Sequence, residues 1–312
     1  MYKKLKVSLV IPAYNEQRLI GPTLEGVPKI VDRVYVIDDG STDRTAEIVR
    51  DFSRKDRRII LIKHAKNSGV GQAIITGYKK CIEDRADIAV VIGGDNQMDL
   101  ADLPNFLEPI ARGDADYVKG NRWLWPSLEV MPKHRFLGNS LLSLMTKMAS
   151  GYWKVFDTQD GYTAISRRAL LTIDWDKAWK GYGYVSEWLI RFNVFGLKVK
   201  DVPRRPIYLK GERQSQIKIG RYIRKVAPML VKGFFWRLKE KYIIRDFHPL
   251  VLFYFLGMVI LPVGLLMGLW LVWVKFMAGS VAGSTAVLAA LLMIVGLQSL
   301  FFAMLFDMEA SK

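Results

Sequence analysis

Along the first third of the chain, short unbroken apolar runs alternate with longer segments of mixed polarity. VSLVIPA (Val7 to Ala13), VYVIDD (Val34 to Asp39), IILIK (Ile59 to Lys63), IAVVIGG (Ile88 to Gly94) and DYVKG (Asp116 to Gly120) have the length of strands. Between them, AEIVRDFSRK, NSGVGQAIITGYKKCIED and LADLPNFLEPIAR have the spacing of helices. Strands apolar on both faces, alternating with helices, predict an α/β fold with a mainly parallel central sheet flanked by helices. Ligands bind such sheets beyond the carboxyl ends of the strands. Three of these ends are polar: Tyr14-Asn15-Glu16, Asp38-Asp39-Gly40-Ser41 and Asp95-Asn96-Gln97.

After residue 120 the alternation loosens. Arg135 to Trp153 reads as a helix, DTQDGYTAISRRAL as a polar turn with a short strand and a helix start, GYVSEWLIRFNVFG as a helix and KVKDVPRRPIYL as a strand. Residues 220–248 mix Arg and Lys with Phe234, Phe235, Trp236 and Tyr242, the composition of a basic amphipathic segment at a membrane interface. Two uncharged apolar runs follow, at about 250–274 and 284–306. Each exceeds the roughly 20 residues that a helix needs to cross a bilayer, so a two-helix transmembrane hairpin is expected over residues 249–306. Pro262 inside the first run is tolerable where a neighbouring helix satisfies the freed carbonyl. Basic residues crowd the approach to the first run, whereas the short connection has only Lys275. That asymmetry predicts a multi-pass protein of the cell membrane, with residues 1–219 and both termini in the cytoplasm.

Charge adds a partner class. The 312 residues carry a net charge of +16, concentrated between Lys198 and Arg245 beside the apolar runs. Each such residue near an acidic lipid surface contributes about 1 kcal/mol of attraction. Membrane lipid is therefore preferred over nucleic acid, for which no zinc-finger or RNA-binding pattern is present. The single Cys81 excludes an internal disulfide. The start of the chain lacks the pattern of a cleavable signal peptide. Oligomeric state is not legible.

Candidate chemistry lies at the polar strand ends. Asp38 and Asp39 precede Gly40-Ser41-Thr42, where a carboxylate can accept from a nucleobase or ribose while Ser41 or Thr42 caps the next helix. Asp95 and Gln97 present oxygens suited to a hard cation, Mg²⁺ or Mn²⁺. Such an ion commonly uses one or two carboxylates and completes its shell with phosphate and water. Gly93 and Gly94 permit a diphosphate to approach the backbone. The alternative for this stretch is a simple strand-to-helix turn. Three basic clusters, KGNRW (Lys119 to Trp123), PKHRF (Pro132 to Phe136) and KGERQSQIK (Lys210 to Lys218), are placed to surround an anionic acceptor. His64, His134 and His248 have no metal or base spacing and read as ordinary surface or interface residues.

In order along the chain, VSLVIPAYNE, VIDDGSTDRT, GGDNQMD, KGNRW, DTQDGYTAISRRAL and GERQSQIK resemble the family 2 glycosyltransferases of GT-A fold, a Rossmann-like architecture. More narrowly they resemble the dolichyl- or polyprenyl-phosphate hexose synthases of the dolichol-phosphate mannose synthase group. The resemblance covers about residues 5–220. It implies that Pro12, Tyr14 and Glu16 contact the nucleotide, with Ile37 and Asp39 around the base and Gly94 beside the diphosphate. Asp95 and Gln97 would hold the metal. Arg122 and Arg135 would bind the acceptor phosphate, with Arg213 and Lys218 flanking the phosphates. Asp157 and Gln159 would line the same cleft, and Glu187 matches an acid on the helix beneath it. Two departures stand out. Gly93 replaces the first acid of the usual Asp-x-Asp, which bears on metal affinity and choice, and the later loop departs from Arg-x-x-Gly-x-Ser-Lys.

The implied activity is inverting transfer of a hexose from a nucleotide-sugar to dolichyl or polyprenyl phosphate, with GDP-mannose favoured and UDP-glucose next. One alternative is a glycosyltransferase acting on a sugar hydroxyl of a lipid-linked glycan or polysaccharide, with Asp157, Asp160 or Glu187 as base. Another is an inactive sugar-nucleotide-binding membrane scaffold.

Overall fold

A computed structural model of the chain describes residues 1–124, 133–158, 160–205, 207 and 219–310, with side chains described from Ser140 onward in the helix that starts at 133 and from Arg224 onward in the helix that starts at 219. Gln159, Arg213, Lys218 and the side chain of Arg135 therefore lie outside the described residues. The chain divides into two compact units, Met1–Phe234 and Phe235–Lys312.

The first unit is built on a seven-stranded sheet. In chain order its strands are β1 (Val7–Ala13), β2 (Arg33–Asp38), β3 (Ile59–Lys63), β4 (Ile88–Val91), β5 (Tyr117–Asn121), β6 (Thr163–Ser166) and β7 (Val199–Pro203). They lie in the order β3-β2-β1-β4-β6-β5-β7. Pairings among the first four are parallel, as is β5 with β7, while β6 runs antiparallel to both neighbours. The chain leaves β1 toward β2 and β3, then returns to place β4 on the other side. This reversal puts a crevice at the carboxyl ends of β1 and β4, the usual ligand position in an open α/β sheet.

The helices of this unit are α1 (Ile20–Glu25), α2 (Thr45–Lys55), α3 (Val70–Glu83), α4 (Leu103–Ala111), α5 (Lys133–Ser150), α6 (Arg167–Thr172), α7 (Tyr184–Val194) and the first part of α8 (Ile219–Lys239). Alternate residues of each strand feed opposite cores, which is why the apolar runs are unbroken. Val10, Tyr35 and Ile37 join Ile74 and Tyr78 of α3 and Trp188 and Phe192 of α7 on one face. Leu9, Ile11, Val34, Val36 and Val90 join Val49 of α2 and Phe106 and Leu107 of α4 on the other.

The second unit holds the end of α8, a π-helical turn over Glu240–Arg245, and two long helices, α9 (Leu250–Ala278) and α10 (Gly283–Glu309). Both are long and apolar enough to cross a membrane, with mean hydropathies of 2.5 and 2.3. Leu252, Phe255, Leu266, Leu269 and Phe301 are exposed on their outer faces. Buried residues recur every seventh position: Leu250, Gly257, Gly264 and Leu271 on α9, and Ala289, Gly296 and Ala303 on α10. Small residues in this register let the two backbones approach closely. A Cβ added at Gly296 would stand 2.6 Å from the Leu261 nitrogen. The connection is tighter than the sequence suggests: α9 runs on to Ala278, and Gly279 turns with φ +73°.

The last helix also continues past the apolar run, burying Asp307. Arg237 of α8 grips this carboxylate with two parallel hydrogen bonds, Nη1 to Oδ1 at 2.7 Å and Nη2 to Oδ2 at 2.8 Å. The Tyr242 hydroxyl donates to Oδ1 at 2.7 Å.

Candidate active site

The loop after β1 is braced by the loop after β2. Asn15, in the left-handed region at φ +57°, donates its backbone N–H to Ser41 Oγ at 2.9 Å. Glu16 N–H donates to Thr45 Oγ1 at 2.8 Å, and Asn15 Oδ1 accepts from Thr42 N–H at 2.9 Å. Ser41 or Thr42 was expected to cap the following helix. Instead α2 follows Arg44, whose side chain makes no cap. The two residues serve the longer-range brace because Asn15 of the β1 loop offers its backbone N–H to Ser41 and its side-chain oxygen to Thr42. Tyr14 projects at the rim, 39% exposed, whereas Ile37 is fully buried beneath α3. Pro12 offers its carbonyl to Gly94 N–H at 3.3 Å, tying β1 to the glycines after β4.

Consecutive acids at the end of β2 have different tasks. Asp38 Oδ1 accepts from Ser41 N–H at 3.0 Å; its other oxygen is buried without a partner among the described residues. Asp39 gathers the turn after β3, accepting from Ser68 N–H at 2.9 Å and Gly69 N–H at 2.8 Å. His64 Nδ1 lies 2.7 Å from Asp39 Oδ1, and its Nε2 lies 3.0 Å from Thr76 Oγ1. Read as ordinary surface in the sequence, His64 is a support of this site. Strand register held the signal: Asp38 pairs with Lys63 in a parallel ladder, so the next residues, Asp39 and His64, also meet.

Asp95 stands beyond β4 with its carboxyl group mostly buried, and burial pushes its pKa up. Its Oδ1 accepts from Gln97 N–H at 3.2 Å. A Cβ at Gly93 would come within 2.8 Å of that same oxygen. The carboxylate thus fills the space beside the glycine, which explains how a residue without a side chain fits there. A Cβ at Gly94 would press on Ala13 and Ile20 at 3.3 Å.

From this loop a line of alternating charge runs along the sheet end. The Gln97 carbonyl accepts from Arg204 Nη1 at 3.0 Å, and Arg204 Nε donates to Asp160 Oδ2 at 2.6 Å. Arg122 Nε lies 3.4 Å from the same Asp160 oxygen. Arg122 also grips Asp157 with Nε to Oδ2 and Nη2 to Oδ1, both 2.7 Å, and its backbone N–H adds a bond of 3.1 Å. Burial alone would raise the Asp157 pKa, but the Arg122 bonds and charge outweigh it and hold the group below the ordinary range. Asp157 itself takes φ +40°.

Asp39, Asp95, Arg122 and Asp157 thus lie along the carboxyl side of β2, β4 and β5. Arg204, buried and bridging two of these loops, was missed; its place directly after a strand in VPRRP was the available signal. Lys119 was grouped with the cationic acceptor residues, yet it is fully buried and committed to protein acceptors. Glu187 is likewise occupied: Oε1 accepts from Arg191 Nε at 2.7 Å and Oε2 from Trp179 N–H at 3.1 Å. It anchors the loop whose Lys180 carbonyl accepts from Gln72 N–H at the start of α3.

No group of three or more His, Cys, Asp or Glu side chains converges as a metal cage among the described residues. A single carboxylate at a mostly buried strand end suits a hard cation that takes its remaining oxygens from phosphate and water.

Residues 8–173, just over half of the chain, match the family described as Glycosyl transferase family 2. The chain belongs to glycosyl transferase family 2. This glycosyltransferase is 34% identical over 216 residues to the UDP-N-acetylglucosamine–dolichyl-phosphate N-acetylglucosaminyltransferase of Methanococcus voltae, covering 65% of this chain and 86% of the relative. It is 25% identical to the dolichyl-phosphate β-glucosyltransferase ALG5D of Trichomonas vaginalis, over 77% of this chain and 76% of that one. Among solved structures, glucosyl-3-phosphoglycerate synthase of Mycobacterium tuberculosis, in complex with Mn²⁺, UDP-glucose and phosphoglyceric acid, superposes with a TM-score of 0.57 at 22% identity, covering 74% of this chain and 80% of that chain. The GT-A architecture expected from the sequence is the one found.

Proposed function

We propose that this glycosyltransferase moves a sugar from a nucleoside diphosphate to dolichyl or polyprenyl phosphate with inversion at the anomeric carbon. One observation carries the choice of acceptor: the three acids that the sequence offers as a general base are each tied to an arginine. Asp157 is held by Arg122, Asp160 by Arg204 and Glu187 by Arg191. An acceptor hydroxyl needs a base to remove its proton, whereas a lipid monophosphate is already anionic. The paired acids therefore favour the phosphate acceptor over a sugar hydroxyl.

Catalysis then consists of positioning and charge stabilisation. Pro12, Tyr14, Glu16 and Asp39 border the nucleotide, and the backbone at Gly93-Gly94 receives the diphosphate. Mg²⁺ or Mn²⁺ held by Asp95, with Gln97 beside it, would neutralise the departing nucleoside diphosphate. Arg122, its fork fixed by Asp157, orients the acceptor phosphate for attack, together with Arg135. Arg213 and Lys218 are proposed to complete the phosphate-binding set.

For the donor, the sequence favoured GDP-mannose, and the relatives give that preference no support. The archaeal relative is named for UDP-N-acetylglucosamine and the protist one for glucosyl transfer. We place UDP-N-acetylglucosamine first and UDP-glucose next. The apolar hairpin tethers the enzyme in the membrane that carries its acceptor, with the catalytic unit and both termini in the cytoplasm.

Radiolabelled transfer by purified full-length protein to a short polyprenyl phosphate tests this, using UDP-N-acetylglucosamine, UDP-glucose and GDP-mannose, each with Mn²⁺, Mg²⁺ or chelator. A metal-dependent lipid product, lost on Asp95→Ala, is expected. Transfer only to a glycan hydroxyl, or none to any lipid phosphate, would overturn the proposal.

A further inference from the structure

Parallel register between β5 and β7 pairs Lys119 with Asp201. Both side chains are buried, at 0% and 8% exposure. An ammonium has three hydrogens, and Lys119 Nζ finds three acceptors: Asp201 Oδ1 at 3.3 Å, the Gly120 carbonyl at 3.1 Å and the Phe156 carbonyl at 2.5 Å. It has no capacity left for a ligand. Asp201 Oδ2 accepts from Phe156 N–H at 2.7 Å and from Asn121 Nδ2 at 2.8 Å. The two charges thus seize the N–H and the carbonyl of one residue, Phe156.

The next residue is Asp157, a non-glycine in the left-handed region at φ +40°. Such a backbone persists only where its surroundings over-determine it. Here Phe156 is fixed on one side, and on the other the Asp157 carbonyl accepts from Asp160 N–H at 3.0 Å. The turn so held directs the Asp157 carboxylate onto both the backbone and the guanidinium of Arg122.

We propose that Lys119 and Asp201 are positioning residues: by clamping Phe156 they set Asp157, and through it the Arg122 fork, in the orientation that receives the acceptor. This rests on the proposed contact between Arg122 and the acceptor phosphate. The clamp touches no substrate, and its effect falls on the lipid side of the reaction.

The test is a double-mutant cycle in the full-length enzyme, with KM measured separately for polyprenyl phosphate and nucleotide-sugar. Displacing a binding group in this way costs about tenfold or more. Lys119→Met should raise the lipid KM by about that factor, leaving the nucleotide-sugar KM within about twofold. In an Arg122→Lys background, where the fork is gone, adding Lys119→Met should change the lipid KM little. Equal losses in both backgrounds, equal rises in both KM values, or an unchanged lipid KM would overturn the clamp. Asp201→Asn run through the same cycle decides the matter should Lys119→Met fail to fold. A wild-type enzyme that transfers nothing to polyprenyl phosphate would instead overturn the acceptor assignment, and the clamp's role with it.

Discussion

Replacing Asp157 by asparagine nearly preserves the side-chain volume, removes one charge and turns one acceptor oxygen into a donor facing Arg122, so its cost measures the ion pair together with its hydrogen bonds. The wild-type carboxylate is fully buried and accepts from Arg122 at 2.7, 2.7 and 3.1 Å. Removing one member of a buried pair typically costs about 3–5 kcal/mol. Arg122 is 18% exposed and keeps Asp160 at 3.4 Å, so part of its charge stays compensated and the lower end, about 3 kcal/mol, applies. For a domain of this size each kcal/mol lowers Tm by about 2–4 °C. Asp157→Asn should therefore lower the melting of the catalytic unit by about 6–12 °C near neutral pH. Circular dichroism of the detergent-solubilised chain reads this directly. The folded pKa of Asp157 lies below its ordinary value. Its stabilisation is therefore present above the unfolded aspartate value, near about 4, and is lost as pH falls through the folded one. The gap between wild type and variant must narrow on acidification. A drop under about 2 °C at neutral pH, or a gap that does not depend on pH, would refute the assignment of this pair as a stabilising one.

Three further outcomes are expected. Asp95 must be ionised to hold a cation, and burial raises its pKa. Metal-dependent transfer should therefore fail on the acid side at a pH above that of an exposed aspartate, and added Mn²⁺ should move that limb to lower pH. A limb that ignores metal concentration would count against Asp95 as ligand. Glu187→Gln should keep transfer within about fivefold, whereas loss of a true general base costs about 10²–10⁴; steady-state rates distinguish the two. Gly296→Val puts a Cβ 2.6 Å from a backbone nitrogen of the facing helix. It should loosen the hairpin by about 1–3 kcal/mol, read as faster proteolysis of α9 and α10 in detergent.

The strand order and its polar ends were legible because buried parallel strands write unbroken apolar runs that stop where the ligand side begins. The antiparallel insertion of β6 between β4 and β5 was not, since four residues, TAIS, carry no mark of their direction. Asp95 and Asp39 stood out because strand-end acids are conspicuous. His64, Lys119 and Arg204 did not, because their partners lie across the fold: Asp39, Asp201 and Asp160 are 25, 82 and 44 residues away. A cationic cluster in sequence looks alike whether it faces an anion or a buried carboxylate. Lys119 and Arg122 are three apart in KGNRW, yet one is sealed inside and the other lies at the site. The apolar hairpin was visible from composition, while its seven-residue register of small residues was hidden among many glycines and alanines.

The buried pair of Arg237 and Asp307 bears on how the chain is made. Its partners are separated by 70 residues, and the whole hairpin is synthesised between them. An arginine has no favourable place in the hydrocarbon core without a counter-charge. During synthesis Arg237 therefore gains this counter-charge only once the last helix has been made. Closure of the pair thus requires the whole hairpin to be present. A chain truncated ahead of Asp307 would keep every residue of the glycosyltransferase unit and still lose the carboxylate that joins Arg237 and Tyr242 to the last helix.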